Sequence, residues 1–143
     1  MSRLIGKFPH LFISMKPILK SSDYKKIKVL ISDLPRQYRT REIGELQMEM
    51  EKATIVPDEN IEADIIQVNS YFEVTAMDSD QRICYSLVLP SDADLEKKKI
   101  SIFSRLGVAL IGFREGMEIE WKLPGGIKKF KIEKVLQPLT SPL

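Results

Sequence analysis

The chain has 143 residues, of which 43% are hydrophobic and 29% charged, with a formal net charge of +2. That length allows one domain of ordinary size with an appendage and a core that needs no covalent staples. The single cysteine, Cys84, excludes an internal disulfide and suits a reducing cytoplasm, where the chain is expected to work.

Residues 1–15 begin basic and apolar, but Pro9 and His10 interrupt the run well short of a membrane span or a signal peptide. They are expected to be a disordered tail, with Met15 a candidate natural start. Ser21-Ser22-Asp23 then offers helix-capping oxygens, and Tyr24, Ile27, Ile31 and Leu34 recur at the spacing of one helical face, which predicts a helix over 22–33. Pro35 ends it. The connector LPRQYR leads to Thr40, a second candidate cap, after which Ile43, Leu46, Met50 and Ala53 repeat the spacing. The two stripes are expected to face each other in a short antiparallel helical hairpin over 16–58, each arm reaching about 18–20 Å.

From Asp64 the period becomes alternating, and the second domain is set at 59–143. Ile66, Val68, Phe72 and Val74 fall on one strand face, with Gln67, Asn69, Glu73 and Thr75 on the other. DSDQ reads as a turn, Ile83 to Leu89 as the next strand, and Pro90 with SDADLEKKK as a loop. A strand around Lys99 to Phe103 precedes a short buried helix carrying Leu106, Ala109, Leu110 and Phe113. Met117, Ile119, Trp121 and Leu123 then alternate with Glu118, Glu120 and Lys122 up to Pro124-Gly125-Gly126.

Paired glycines beside lysines can cradle a phosphate or turn a hairpin. Proline at the first turn position and glycine at the next fit a type II turn, and neither G-x-x-x-x-G-K-[ST] nor G-x-G-x-x-G is present. Ile127 and Val135 are out of phase with Phe130 and Ile132 and predict a bulge at one or both ends of the last strand. Gly107 and Gly112 have the first spacing of a phosphate loop, but Phe113-Arg114 stand where Lys and Ser or Thr are needed.

Catalytic groups are scarce. The one histidine lies in the tail, so no serine or cysteine nucleophile has an imidazole base, and His or Cys ligation of a metal is unsupported. The chain is therefore expected to be a non-enzyme without metal or cofactor. Charge is segregated: residues 1–41 carry ten basic and two acidic side chains, 42–80 one and eleven, and 81–143 eleven and seven. Such blocks suit oriented docking on a charged partner, although solvated faces would give the same counts.

The segment KISIFSRLGVALIGFREGMEIEWKLPGGIKKFKIEKV, with weaker likeness back to Glu51, resembles the C-terminal domain of the Gre-type transcription elongation factors. Within them it is most similar to the shorter regulator of nucleoside diphosphate kinase group. The resemblance implies an α+β fold: a helical hairpin followed by an FKBP-like antiparallel sheet wrapped on one short helix. It also implies a partner, bacterial RNA polymerase, bound by the chain as a monomer at the rim of the secondary channel. The candidate contacts are Phe103, Ser104, Arg105 and Leu106 in the docking segment and Arg36, Arg39 and Arg41 at the hairpin tip.

In Gre factors the resemblance implies acids at the tip of a long coiled coil, where they help hold a magnesium ion for transcript cleavage. Here the arms are short and the tip is basic, while magnesium needs oxygen ligands. A regulator that does not stimulate cleavage is expected. Two rivals stand beside it: an FKBP-type prolyl isomerase or peptide-binding module, which needs an aromatic pocket, and nucleic-acid binding through Lys128, Lys129, Lys131 and Lys134 around Phe130.

Overall fold

The computed structural model describes residues 16–138; the tail and the candidate start at Met15 lie outside them. A short strand β1 (Ile18–Lys20) runs straight into helix α1 (Ser21–Asp33), and a single 3-10 turn (Arg36–Tyr38) leads to helix α2 (Arg41–Lys52). Strand β2 (Thr54–Val56) then returns beside β1 in a parallel pair, Ile18 opposite Thr54 and Lys20 opposite Val56, which the sequence reading missed. Three residues per strand are too few for a hydrophobic period to show.

The extended entry explains why the expected cap of α1 is not used. Lys20 occupies the cap position and no side chain of the helix caps it. Instead the Asp58 carboxylate accepts a hydrogen bond from the Ser22 N–H at 2.9 Å. A bond from the Ser22 side chain, together with this one, holds the Asp58 carboxyl below its usual range. Asp23 turns inward and accepts from the buried Val68 N–H at 3.1 Å. Thr40, by contrast, caps α2 as expected, its side chain accepting from the Ile43 N–H at 3.3 Å.

Strands β3 (Tyr71–Ala76), β4 (Arg82–Val88), β5 (Lys99–Ser101), β6 (Glu118–Leu123) and β7 (Gly126–Leu136) form one sheet in the order β5-β4-β3-β7-β6. All neighbours are antiparallel except β4 and β5, which are parallel, so the expected all-antiparallel sheet is corrected at that edge. Helix α3 (Arg105–Leu110) follows β5 and is almost wholly buried. Ile27, Ile31, Ile43, Leu46 and Met50 share one continuous core with Phe72, Leu110, Phe130 and Ile132, and α2 packs on α3. The hairpin thus lies against the body of the protein; its stripes do not serve only each other.

Three local expectations are also corrected. The strand expected from Ile66 begins only at Tyr71, because Asn69 adopts φ 77° and breaks the extended chain. Gln67, placed on the face opposite Ile66 and Val68, is buried as they are, its amide donating to the Ile65 carbonyl at 3.3 Å and the Glu62 carbonyl at 3.4 Å. In the β6–β7 turn the positive φ, 135°, belongs to Gly126 and not to Gly125, so the type II assignment fails while the hairpin stands. The bulge falls opposite Glu73 and Val74, where β7 skips Glu133. That brings Val135 onto the buried face, whereas Ile127 is simply exposed beside the turn.

The two glycines of the near-miss phosphate loop are packing glycines. A Cβ on Gly107 would lie 2.5 Å from the Ser101 carbonyl oxygen. Gly112, at φ 87°, faces Pro17 so closely that a Cβ would come within 2.6 Å of the proline Cβ, and its carbonyl accepts from the Ile18 N–H at 2.9 Å. No helix among the described residues is long and apolar enough to cross a membrane.

Candidate interaction site

The docking segment follows β5. Phe103 is half-buried against the core, and its N–H donates to the Ser101 hydroxyl at 2.9 Å. Ser104 caps α3, its hydroxyl oxygen accepting from the Gly107 N–H at 3.0 Å. Leu106 is buried and cannot be a surface contact, which corrects its place among the candidates; it supports the segment from beneath. Arg105 is exposed, and its Nε lies 3.4 Å from Oε2 of Glu42. Sequence reasoning missed that ion pair, because 63 residues separate the partners and nothing local signals it.

The pair has a geometric consequence. Glu42 stands in the first turn of α2, directly after the tip, so Arg105 and the basic tip occupy the same end of the molecule. At the tip, Arg39 closes off α1: its guanidinium donates to the Leu34 carbonyl at 3.2 Å and the Ser32 carbonyl at 3.4 Å. Arg41 faces Glu45 at 3.9 Å. Arg36 is exposed and makes no ion pair or hydrogen bond through its side chain among the described residues. The sequence grouped these arginines by charge; only the coordinates separate the one that pins the turn from the one left free.

No group of three or more His, Cys, Asp or Glu among the described residues could hold a metal ion. Three of the four β7 lysines stand opposite acids across the sheet, and Lys128 stands opposite Trp121. Lys129 is opposite Glu120 and Lys131 opposite Glu118, and Lys134 is opposite Glu73. The Lys129 Nζ lies 3.9 Å from Oε2 of Glu120, whose other oxygen is buried without a hydrogen-bond partner among the described residues; Glu120 itself is only 8% exposed. Phe130 points inward and tilts against Trp121 at 5.3 Å, so it offers no stacking face beside the lysines.

The aromatic rings are for the most part committed to packing. Phe72, Phe113 and Phe130 are in the core. On the outer face, the Tyr71 hydroxyl donates to Glu73 at 2.8 Å, and this bond, with Cys84 beside it, raises the phenol above its ordinary range. An open groove of about 490 Å³ lies along Ser21, Ile55, Val56, Pro57, Asp58 and Glu59, with no aromatic side chain among these.

Comparison with known proteins agrees with this architecture. Residues 60–137 match the family described as transcription elongation factor, GreA/GreB, C-terminal. The transcription elongation factor GreA of Acetivibrio thermocellus is 30% identical over 123 residues, covering 86% of this chain and 74% of that protein. The GreA of Alkaliphilus oremlandii is 33% identical over 93 residues, 65% of this chain but only 58% of the relative. A solved prokaryotic transcription elongation factor GreA/GreB from Nitrosomonas europaea superposes with a TM-score of 0.69 at 31% identity, over 85% of this chain and 98% of that one.

These relatives overturn one expectation. They are GreA factors, the group whose resemblance implies assisted transcript cleavage, and the reading of the chain as a non-enzyme falls with them. With more than half of its length matching the family pattern and a relative aligned over most of the chain, the protein belongs to the GreA/GreB transcription elongation factor family.

Proposed function

We propose that the chain is a transcription elongation factor that binds bacterial RNA polymerase as a monomer, at the rim of the secondary channel. The observation that carries this reading is the Arg105–Glu42 ion pair, which sets the docking segment and the tip side by side. One end of the molecule then offers Arg105 with Arg36 and Arg41 as exposed cations, with Phe103 and Ser104 forming the ridge between core and solvent. Arms of 13 and 12 residues support placing the chain with the short regulators of nucleoside diphosphate kinase group, and the sheet wrapped on α3 supports the FKBP-like description. Nucleic-acid binding along β7 is disfavoured because Lys129, Lys131 and Lys134 each stand opposite a carboxylate, which leaves Lys128, opposite Trp121, as the remaining cation.

Co-purification of polymerase with the full chain at moderate salt tests the reading. Retention of polymerase, lost on Arg105→Glu and weakened by added salt, is the expected result. No retention at any salt would overturn it. Adding the protein to a stalled elongation complex then measures what it contributes to transcript cleavage, the activity its relatives direct attention to.

A further inference from the structure

Arg105 meets Glu42 along one edge only. The contact runs from Nε to Oε2 at 3.4 Å, and among the described residues neither terminal nitrogen of the guanidinium has a partner. A guanidinium carries five N–H donors in a planar fork, so one held through Nε keeps both terminal groups for a second acceptor. The acid is the more settled of the two, its side chain 23% exposed against 48% for the arginine. Its backbone is anchored as well. Glu42 lies in the first turn of α2, which the Thr40 hydroxyl caps through the Ile43 N–H, and α2 packs on α3.

We infer that Glu42 is a positioning residue, which presents the terminal nitrogens of Arg105 to the carboxylate of an acidic side chain on polymerase. This rests on the proposed docking through Arg105 and adds the chemistry of what Arg105 docks on. Two parallel N–H···O bonds fit the geometry of a carboxylate. A phosphate offers matching oxygens too, but a polyanion is drawn by a surplus of positive charge. At Arg105 that surplus is cancelled by Glu42, and Phe103, Ser104 and Leu106 add none. A single carboxylate beside the half-buried Phe103 needs alignment, not surplus charge. Holding the arginine in advance also spares part of the entropy of ordering it on binding.

The test titrates the full chain against core polymerase freed of nucleic acid, at one fixed salt concentration. The parent chain should bind, and Arg105→Lys, which keeps the charge but loses the fork, should bind about tenfold more weakly. Glu42→Gln and Glu42→Ala both remove a negative charge, but only glutamine keeps an acceptor for Nε. Glu42→Ala should therefore bind about threefold more weakly than Glu42→Gln. In an Arg105→Ala background the two should be indistinguishable, which a merely structural role for Glu42 would not produce. No binding by the parent at any concentration overturns both this inference and the proposed function. Parent binding with Arg105→Lys at full affinity, with equal affinities for the two Glu42 variants, or only after nucleic acid is restored to the polymerase overturns this inference alone.

Discussion

Asp23 shows how far a single residue can depart from the role its position suggests. It stands where a helix cap is expected, yet it is buried and satisfies the Val68 N–H 45 residues away. Burial raises its carboxyl above the usual value, against the pull of the Val68 bond and of Lys20 and Lys26. A raised folded value means that the fold holds the proton more tightly than the unfolded chain does. The stability so gained is complete below the ordinary carboxylate range and is lost as pH rises through the raised value. Asp23→Asn keeps an acceptor for Val68 without the titration, so its stability relative to the parent should improve from about pH 4 to about pH 7. Asp23→Ala strands the amide and should cost about 1–3 kcal/mol. Urea midpoints at the two pH values check both. Gly112→Ala is expected to cost about 2–4 kcal/mol in the same assay, from backbone strain at positive φ together with collision with Pro17.

Among the elements, α3 is where stability and the proposed docking meet. Ser104→Ala removes the cap of a helix six residues long and should destabilise the protein by about 1 kcal/mol, read from its thermal melt. Because the same residue lies in the proposed docking segment, polymerase affinity should fall as well. The Arg105–Glu42 pair is partly exposed and adds at most about 1 kcal/mol to stability, so Arg105→Glu is a clean test of binding. The helices were legible in the sequence because their apolar spacing repeats over 13 and 12 residues. The sheet was legible where strands alternate for six residues, as in β3 and β6. What escaped notice was nonlocal: the β1–β2 pair, the cap lent by Asp58, and Asn69, whose left-handed backbone cuts short an otherwise convincing alternation.

Across the whole molecule, the segregated charges resolve into two different surfaces. Lys129, Lys131 and Lys134 of β7 stand opposite acids across the sheet, whereas the arginines of the tip and α3 gather at one end, where Arg36 has no ion pair among the described residues. Binding to polymerase should therefore weaken with salt, and Arg36→Glu should reduce both the affinity and the steepness of that salt response. Lys131→Glu, on the balanced face, should change neither; salt titrations of the three proteins compare them. Composition revealed the segregation but could not show which cations would be answered by a carboxylate, since that depends on strand register.

The seat of Gly112 against Pro17 has a practical outcome. Strand β1 docks on a loop near the far end of the chain, and the first helix supplies the carboxylate for Val68. A truncated piece starting near residue 60 would contain everything the family pattern matches. It would nevertheless bare a proline-shaped notch and an orphaned amide, inviting aggregation before it could be assayed.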